Sequence, residues 1–335
     1  MMLNIVILYL WAALVFYLLS GGADFGAGIT ELFSSKRNRP RVREMMRAAT
    51  GPIWEANHMW LILSIVILFV AFPRTYALIS TYFYIPLTLM LIGIIGRGTS
   101  YAFRNADGDD VLLNRLDNLI YGISSIATPM FLGMIAGGFF SGAINPSATV
   151  FKTAYVDNWF NWFSIATGLF TVSLCTFLAA IYVIGNPKNG EDRFMLVPYA
   201  LIANILCIVL AIGILFIAKV QEIPISLNPQ RSHGLAIGIA ISSTILMWLM
   251  IGFKLTGLIR QIAALQVFLM QFYIIWDRYP MITNPKHGIG FNISIAQAND
   301  KTISMLALAL MIGSVLIFPA LAFLIYKFEW QAKKK

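Results

Sequence analysis

Charge is scarce in this chain. Of its 335 residues only 12% are Asp, Glu, Lys or Arg, against roughly a quarter in soluble domains, and 59% are hydrophobic. Mean hydropathy is +0.77. A water-soluble fold is excluded on that composition. Four stretches (118–151, 158–187, 194–218 and 302–326) hold no acid or base at all, and each exceeds the ~20 residues that span a bilayer as a helix. Histidine is scarcer still. His58, His233 and His287 are the only three, and no two share an expected helix, which argues against a self-contained transmembrane cytochrome with paired axial imidazoles. No cluster of Cys, His or carboxylate has metal-ligand spacing. Cys175 and Cys207 lie inside apolar runs and read as packed thiols, with no disulfide framework. Residues 1–23 carry no charge, so a removable signal peptide with a basic leader is not expected; the basic stretch that follows reads as a stop-transfer flank.

What is present is an all-α membrane protein. Apolar runs predict about nine transmembrane helices near 4–24 (or on to 33), 54–73, 76–98, 118–141, 159–185, 194–218, 234–253, 258–276 and 303–327. Pro86, Pro129 and Pro319 fall inside them, where neighbouring helices tolerate a kink. The connections are short, and residues 1–335 read as one integral membrane domain. Six basic residues (Lys36, Arg37, Arg39, Arg41, Arg43 and Arg47) separate the first two runs. Seventeen of the 24 basic residues fall on that side and seven on the other, which places the N-terminus outside and the C-terminus in the cytoplasm. Orientation accounts for the net charge of +9, and a nucleic-acid partner is dropped.

The polar residues at membrane depth are few. Gly51-Pro52-Ile53-Trp54-Glu55-Ala56-Asn57-His58-Met59-Trp60 opens the second run with a carboxylate and an imidazole one helical turn apart. At ~1.5 Å per residue, Glu55 lies about 27 Å from the outer end of its helix; Asp24 and Arg97 lie about 30 Å from theirs. Asp24, Glu55, His58 and Arg97 therefore meet at one level, the inner edge of the hydrocarbon. Ionisable groups there face a protein interior or a water path. On that basis Glu55, Asp24, His58 and Asn57 are candidates for a proton path, with Arg97 tuning the carboxylates. The plainer reading is a set of buried groups satisfied by hydrogen bonds. His58 as a lone haem ligand is the weakest reading. Gly22 and Gly26 form a small-xxx-small pair for helix contact, while Ser20, Asp24, Gly28 and Glu31 line another face. Trp54 reads as an interfacial anchor, and Trp60 as an anchor or the lining of a route for a gas or a quinone tail. Trp159, Trp162, Trp276 and Tyr279 read as an outer aromatic belt.

These motifs resemble a known family. Gly22-x-Asp24-x-Gly26-x-Gly28, the segment from Gly51 to Ile62, and Arg97 followed by Tyr101-Ala102-Phe103-Arg104 are similar to subunit II of the cytochrome bd quinol oxidases. Asn161-Trp162-Phe163 with Gly168, and Phe291-Asn292-Ile293-Ser294 through Ala298-Asn299, are similar to later parts of that family. The resemblance implies two four-helix bundles (1–141 and 158–279) with a peripheral ninth helix (302–327). It also implies a heterodimer with a subunit I that carries two b-type haems and haem d and oxidises quinol. This chain would ligate no haem itself, quinol would be the substrate of the complex, and small single-helix subunits can join it. Its setting would be a bacterial or archaeal cell membrane, with lipid all round. In the family the acidic residue of the second helix, here Glu55, lies on a proposed proton route, and Asp24 and Arg97 match polar positions near it. A proton-coupled secondary transporter and a pure scaffold are the rival readings.

Overall fold

The computed structural model describes residues 2–50, 54–103, 111–223, 233–279, 281–283, 291–292 and 297–333. The helices are α1 (Met2–Phe33), α2 (Arg39–Thr50), α3 (Trp54–Ala71), α4 (Pro73–Tyr82), α5 (Tyr84–Phe103) and α6 (Val111–Ser141). They continue with α7 (Phe151–Tyr155), α8 (Trp162–Ile184), α9 (Val197–Val220), α10 (His233–Gly252), α11 (Ile259–Arg278) and α12 (Asp300–Lys333). A two-stranded antiparallel ribbon, β1 (Met281–Thr283) with β2 (Phe291–Asn292), interrupts the last connection. Runs of Leu, Ile, Val and Phe form helices here because in lipid each backbone group must bond within its own segment. Among the described residues seven helices are long and apolar enough to cross a membrane, or eight if α3 and α4 count as one bent span. The apolar part of α10, Ile237–Gly252, is shorter.

α8 lies at the centre, packed against α1, α6 and α9. Its last turns, Leu178 to Ile184, are almost wholly buried apart from Tyr182, and Asn161 caps its start by accepting from the Ser164 amide at 2.9 Å. Small residues permit the close approach. A methyl on Gly26 would overlap the Cys175 carbonyl of α8, and one on Gly168 would sit 2.7 Å from the Met130 carbonyl of α6. The Gly22/Gly26 contact expected from sequence is thus made with α8. α12 packs on α1 and α3 through Val6, Ile67, Ala71, Ile303 and Ala307, and Tyr9 bonds Ser314 at 2.7 Å.

Three expectations change. The second and third runs do not end and begin where hydropathy placed them. Pro73 stands at the start of α4, Phe72 leaves the helical region at φ −131°, and the chain bends by 117°. A second break at Phe83 makes α5 start at Tyr84 rather than Tyr76, so Arg97 lies about 20 Å along its helix, not 30 Å. The arginine-rich connection, next, is itself a helix: Val42, Met45 and Met46, at i, i+3 and i+4, bury one face of α2 against the α8 cluster, while Arg41 and Arg47 are exposed. Last, Trp159 is buried, with its indole donating to the Tyr155 carbonyl at 2.8 Å, so it does not belong to the exposed belt of Trp162, Trp276 and Tyr279.

Candidate functional site

α1 carries the site because its buried face repeats every seven residues. Tyr17, Asp24 and Glu31 fall on one stripe, each about 10 Å from the next. Gly28 lies in the same stripe between the two carboxylates, and a methyl there would overlap Ser125 Oγ and come within 2.8 Å of Arg97. Its lack of a side chain leaves room for what α5 and α6 send in.

Arg97 enters from α5. It and Asp24 are 1% and 2% exposed, so this is an ion pair taken out of solvent altogether. Arg97 Nη2 donates to Asp24 Oδ1 at 2.8 Å and Nε to Oδ2 at 3.1 Å. The same guanidinium reaches the Asp24 carbonyl, Ser125 Oγ, and Tyr121 Oη at 3.1 Å. It lies over the rings of Tyr121 and Phe25, 4.6 and 5.2 Å from their centroids. Asn57, on α3, donates its amide to Asp24 Oδ2 at 3.4 Å. Both carboxylate oxygens and most guanidinium protons are therefore engaged. Such saturation is what a buried ion pair requires if it is not to destabilise the fold.

Two neighbours are not satisfied in this way. Asn57 Oδ1 and the Tyr17 hydroxyl are buried with no hydrogen-bond partner among the described residues. Buried polar atoms of this kind are places that ordered water fills.

Towards the arginine-rich side lies a small cavity of about 50 Å³, room for a few waters. Ala27, Glu31, Arg43, Met46, Arg47, Thr50, Tyr101 and Tyr121 line it, so its inner wall is the tyrosine that touches Arg97. Glu31 pairs with Arg43 at 2.7 Å, and Arg43 also donates to Asn118 Oδ1 at 2.8 Å.

Of the residues expected from sequence, the structure brings together Asp24, Arg97 and Asn57. His58 follows Asn57 on α3 and is half-buried. Trp60, also half-buried, packs on Phe16 with ring centroids 4.7 Å apart and the rings tilted by 30°. Glu55 and Trp54 open α3, but their side chains lie outside the described residues. Arg97, expected to tune the carboxylates, is the direct ion-pair partner of Asp24. Tyr121, Ser125 and the Glu31–Arg43–Asn118 cluster were not expected as site residues. The only signal for Tyr121 and Ser125 is their i, i+4 spacing on α6, which looks the same as ordinary hydroxyl packing.

Among the described residues no three His, Cys, Asp or Glu side chains gather as a metal site. His58 is the one histidine whose side chain is described; those of His233 and His287 lie outside the described residues.

A bent, multi-pass helical membrane protein with an Asp–Arg pair sealed between its first helices defines the class. Residues 2–328 match cytochrome bd terminal oxidase subunit II, and the chain belongs to that family. It is 30% identical over 193 residues to the cytochrome bd ubiquinol oxidase subunit 2 of Bacillus subtilis, covering 55% of this chain and 56% of that one. It is 27% identical over 186 residues to the cytochrome bd-I ubiquinol oxidase subunit 2 of Escherichia coli K12, covering 53% and 48%. The matched stretch thus spans about half the length of these relatives. A chain of the bd oxidase of Geobacillus thermodenitrificans has the same fold, with a TM-score of 0.73, 18% identity and 98% of each chain covered.

Proposed function

We propose that this chain is the second subunit of a bd-type quinol oxidase of a bacterial or archaeal cell membrane. In that role it braces a haem-carrying subunit I and supplies protons from the cytoplasm for the reduction of dioxygen to water. The family match over residues 2–328 is the observation that carries the reading. The haems b and d of the partner would hold the electrons taken from quinol. Under this reading the chain crosses the membrane nine times, N-terminus outside, as bundles 1–141 and 158–279 with 302–327 as the ninth helix. Small single-helix subunits and lipid complete its surroundings.

The site geometry refines the proton path. Asp24 accepts three hydrogen bonds, two of them from a guanidinium with which it shares a buried pair. Breaking that pair would strand a charge in the interior, which costs several kcal/mol. Asp24 with Arg97 is therefore a fixed dipole that orders water, and the moving proton belongs elsewhere. Asn57 Oδ1 and Tyr17 Oη, each short of a partner, support ordered water along the stripe. Glu55 and His58, on the same helix as Asn57, remain the groups on this chain that exchange protons with it.

Turnover of the Glu55→Gln complex tests this. We expect quinol-dependent oxygen consumption to fall by about tenfold or more with haem spectra intact; a rate near wild type would leave this subunit a scaffold. A secondary transporter is less well supported. Such proteins place broken helices beside their ion sites, whereas the break at Phe72 lies about 22 Å along α3 from Asn57.

A further inference from the structure

The stripe that carries Asp24 ends on a second carboxylate that the reading above does not use. Glu31 lies two turns further along α1, 7% exposed, in the wall of the water-sized cavity. On the far side of that cavity is Tyr121, whose hydroxyl lies 3.1 Å from Arg97. Carboxylate, cavity and ion pair thus follow one another along α1, from the arginine-rich surface inwards.

The two acid–arginine pairs on this stripe differ in how firmly they hold. Arg97 is sealed in, and nothing can replace it as the partner of Asp24. Arg43 has 41% of its side chain exposed, against 10% for Glu31. A half-exposed arginine is stabilised by water whether or not it is paired, so it holds its carboxylate only weakly. It can turn away without stranding its own charge, and the carboxylate it leaves behind is neutralised when Glu31 takes up a proton. Asn118 Oδ1 offers it a second acceptor to swing about.

We propose that Glu31 is the proton-collecting carboxylate of this chain and that Arg43 is the latch over it. When Arg43 turns to solvent, Glu31 takes a proton from a hydronium ion or buffer acid outside. It then releases that proton to a cavity water, returns to the carboxylate and regains Arg43. No electron moves and no bond to carbon changes. The charged and titratable groups facing Glu31 are Arg43 and Arg47 from α2, Tyr101 from α5 and Tyr121 from α6. This proposal rests on the proton-supply reading above.

The test uses the whole complex in membrane vesicles, with quinol-driven oxygen consumption followed per assembled haem from pH 6 to pH 9. Glu31→Gln is expected to lower turnover about fivefold or more at the alkaline end, where protons are scarce, with the quinol KM unchanged. Glu31→Asp should restore most of the rate. An independent reading comes from Glu31→Cys. A membrane-impermeant maleimide should label it only from the arginine-rich side, and faster when Arg43→Gln is added. If Glu31 merely pins α2 to α1, Glu31→Gln will reduce assembly while turnover per haem keeps the wild-type pH profile, and the proposal fails. No labelling of Glu31→Cys from either side overturns it as well. Absence of quinol-driven oxygen consumption in the wild-type complex would instead remove the functional reading beneath it.

Discussion

Two polar regions lie among these apolar helices, and they are built from different material. Between α1, α3, α5 and α6 the groups are charged: Asp24 and Arg97 are sealed together, with Glu31 and Arg43 nearer the surface. Between α9, α10 and α11 they are neutral. Gln266 Nε2 lies 3.0 Å from Ser243 Oγ and 3.1 Å from Thr244 Oγ1, and Trp248 donates its indole N–H to Asn204 Oδ1 at 3.2 Å. Neutral pairs of the second kind suffice to hold helices together in lipid, at about 0.6 kcal/mol each. Charges are far costlier to bury, so the Asp24–Arg97 pair, sealed from solvent on both sides, marks the first region as the one selected for something besides packing.

The largest effect should come from breaking the charged pair unevenly. Arg97→Met leaves the Asp24 carboxylate buried with only Asn57 at hydrogen-bond distance, and should destabilise the complex by about 3–5 kcal/mol in thermal unfolding followed by assembled haem. Pairing it with Asp24→Leu removes both charges and should recover most of that stability, while leaving turnover low. If the single change proves no worse than changes in the neutral seam, the contrast drawn here is wrong.

Glycines sharpen the comparison because they report how tightly each region is packed. Gly28→Ala must push aside Ser125 and Arg97, which should cost about 1–3 kcal/mol. Gly238, on α10, has nothing within 4 Å of where a methyl would stand. There the same substitution should stabilise by up to about 1 kcal/mol, since alanine is the better helix former. Opposite signs in one unfolding assay are the expected result.

The difference between the regions was only half legible in the sequence. Asp24 and Arg97 could be placed at one level because apolar runs fix a helix and rise per residue fixes depth. That they touch could not, since two residues 73 apart in sequence share no local signal. The depth of Arg97 was also overestimated, because Pro73 was read as closing a span and the break at Phe83 leaves no mark in hydropathy. α2 was hidden for the opposite reason: four arginines dominate its composition, and its buried Val42, Met45 and Met46 show only in their spacing. The cavity beside Glu31 is made by four helices at once, and no single stretch of sequence encodes it.

The smallest effect belongs to the neutral seam, and it settles whether that seam is only adhesive. Gln266→Leu removes a side-chain amide that two hydroxyls can share, yet neither hydroxyl is left wanting. Ser243 Oγ donates to the Ile239 carbonyl at 2.7 Å and Thr244 Oγ1 to the Ala240 carbonyl at 2.8 Å, one turn back on their own helix. No buried donor is stranded, and leucine fills a similar volume. The loss should therefore be about 0.6 kcal/mol, well under 2, with turnover per haem unchanged at every pH. A pH-dependent loss of turnover at Gln266 would mean that the second region also conducts, and that charge is not what distinguishes the two.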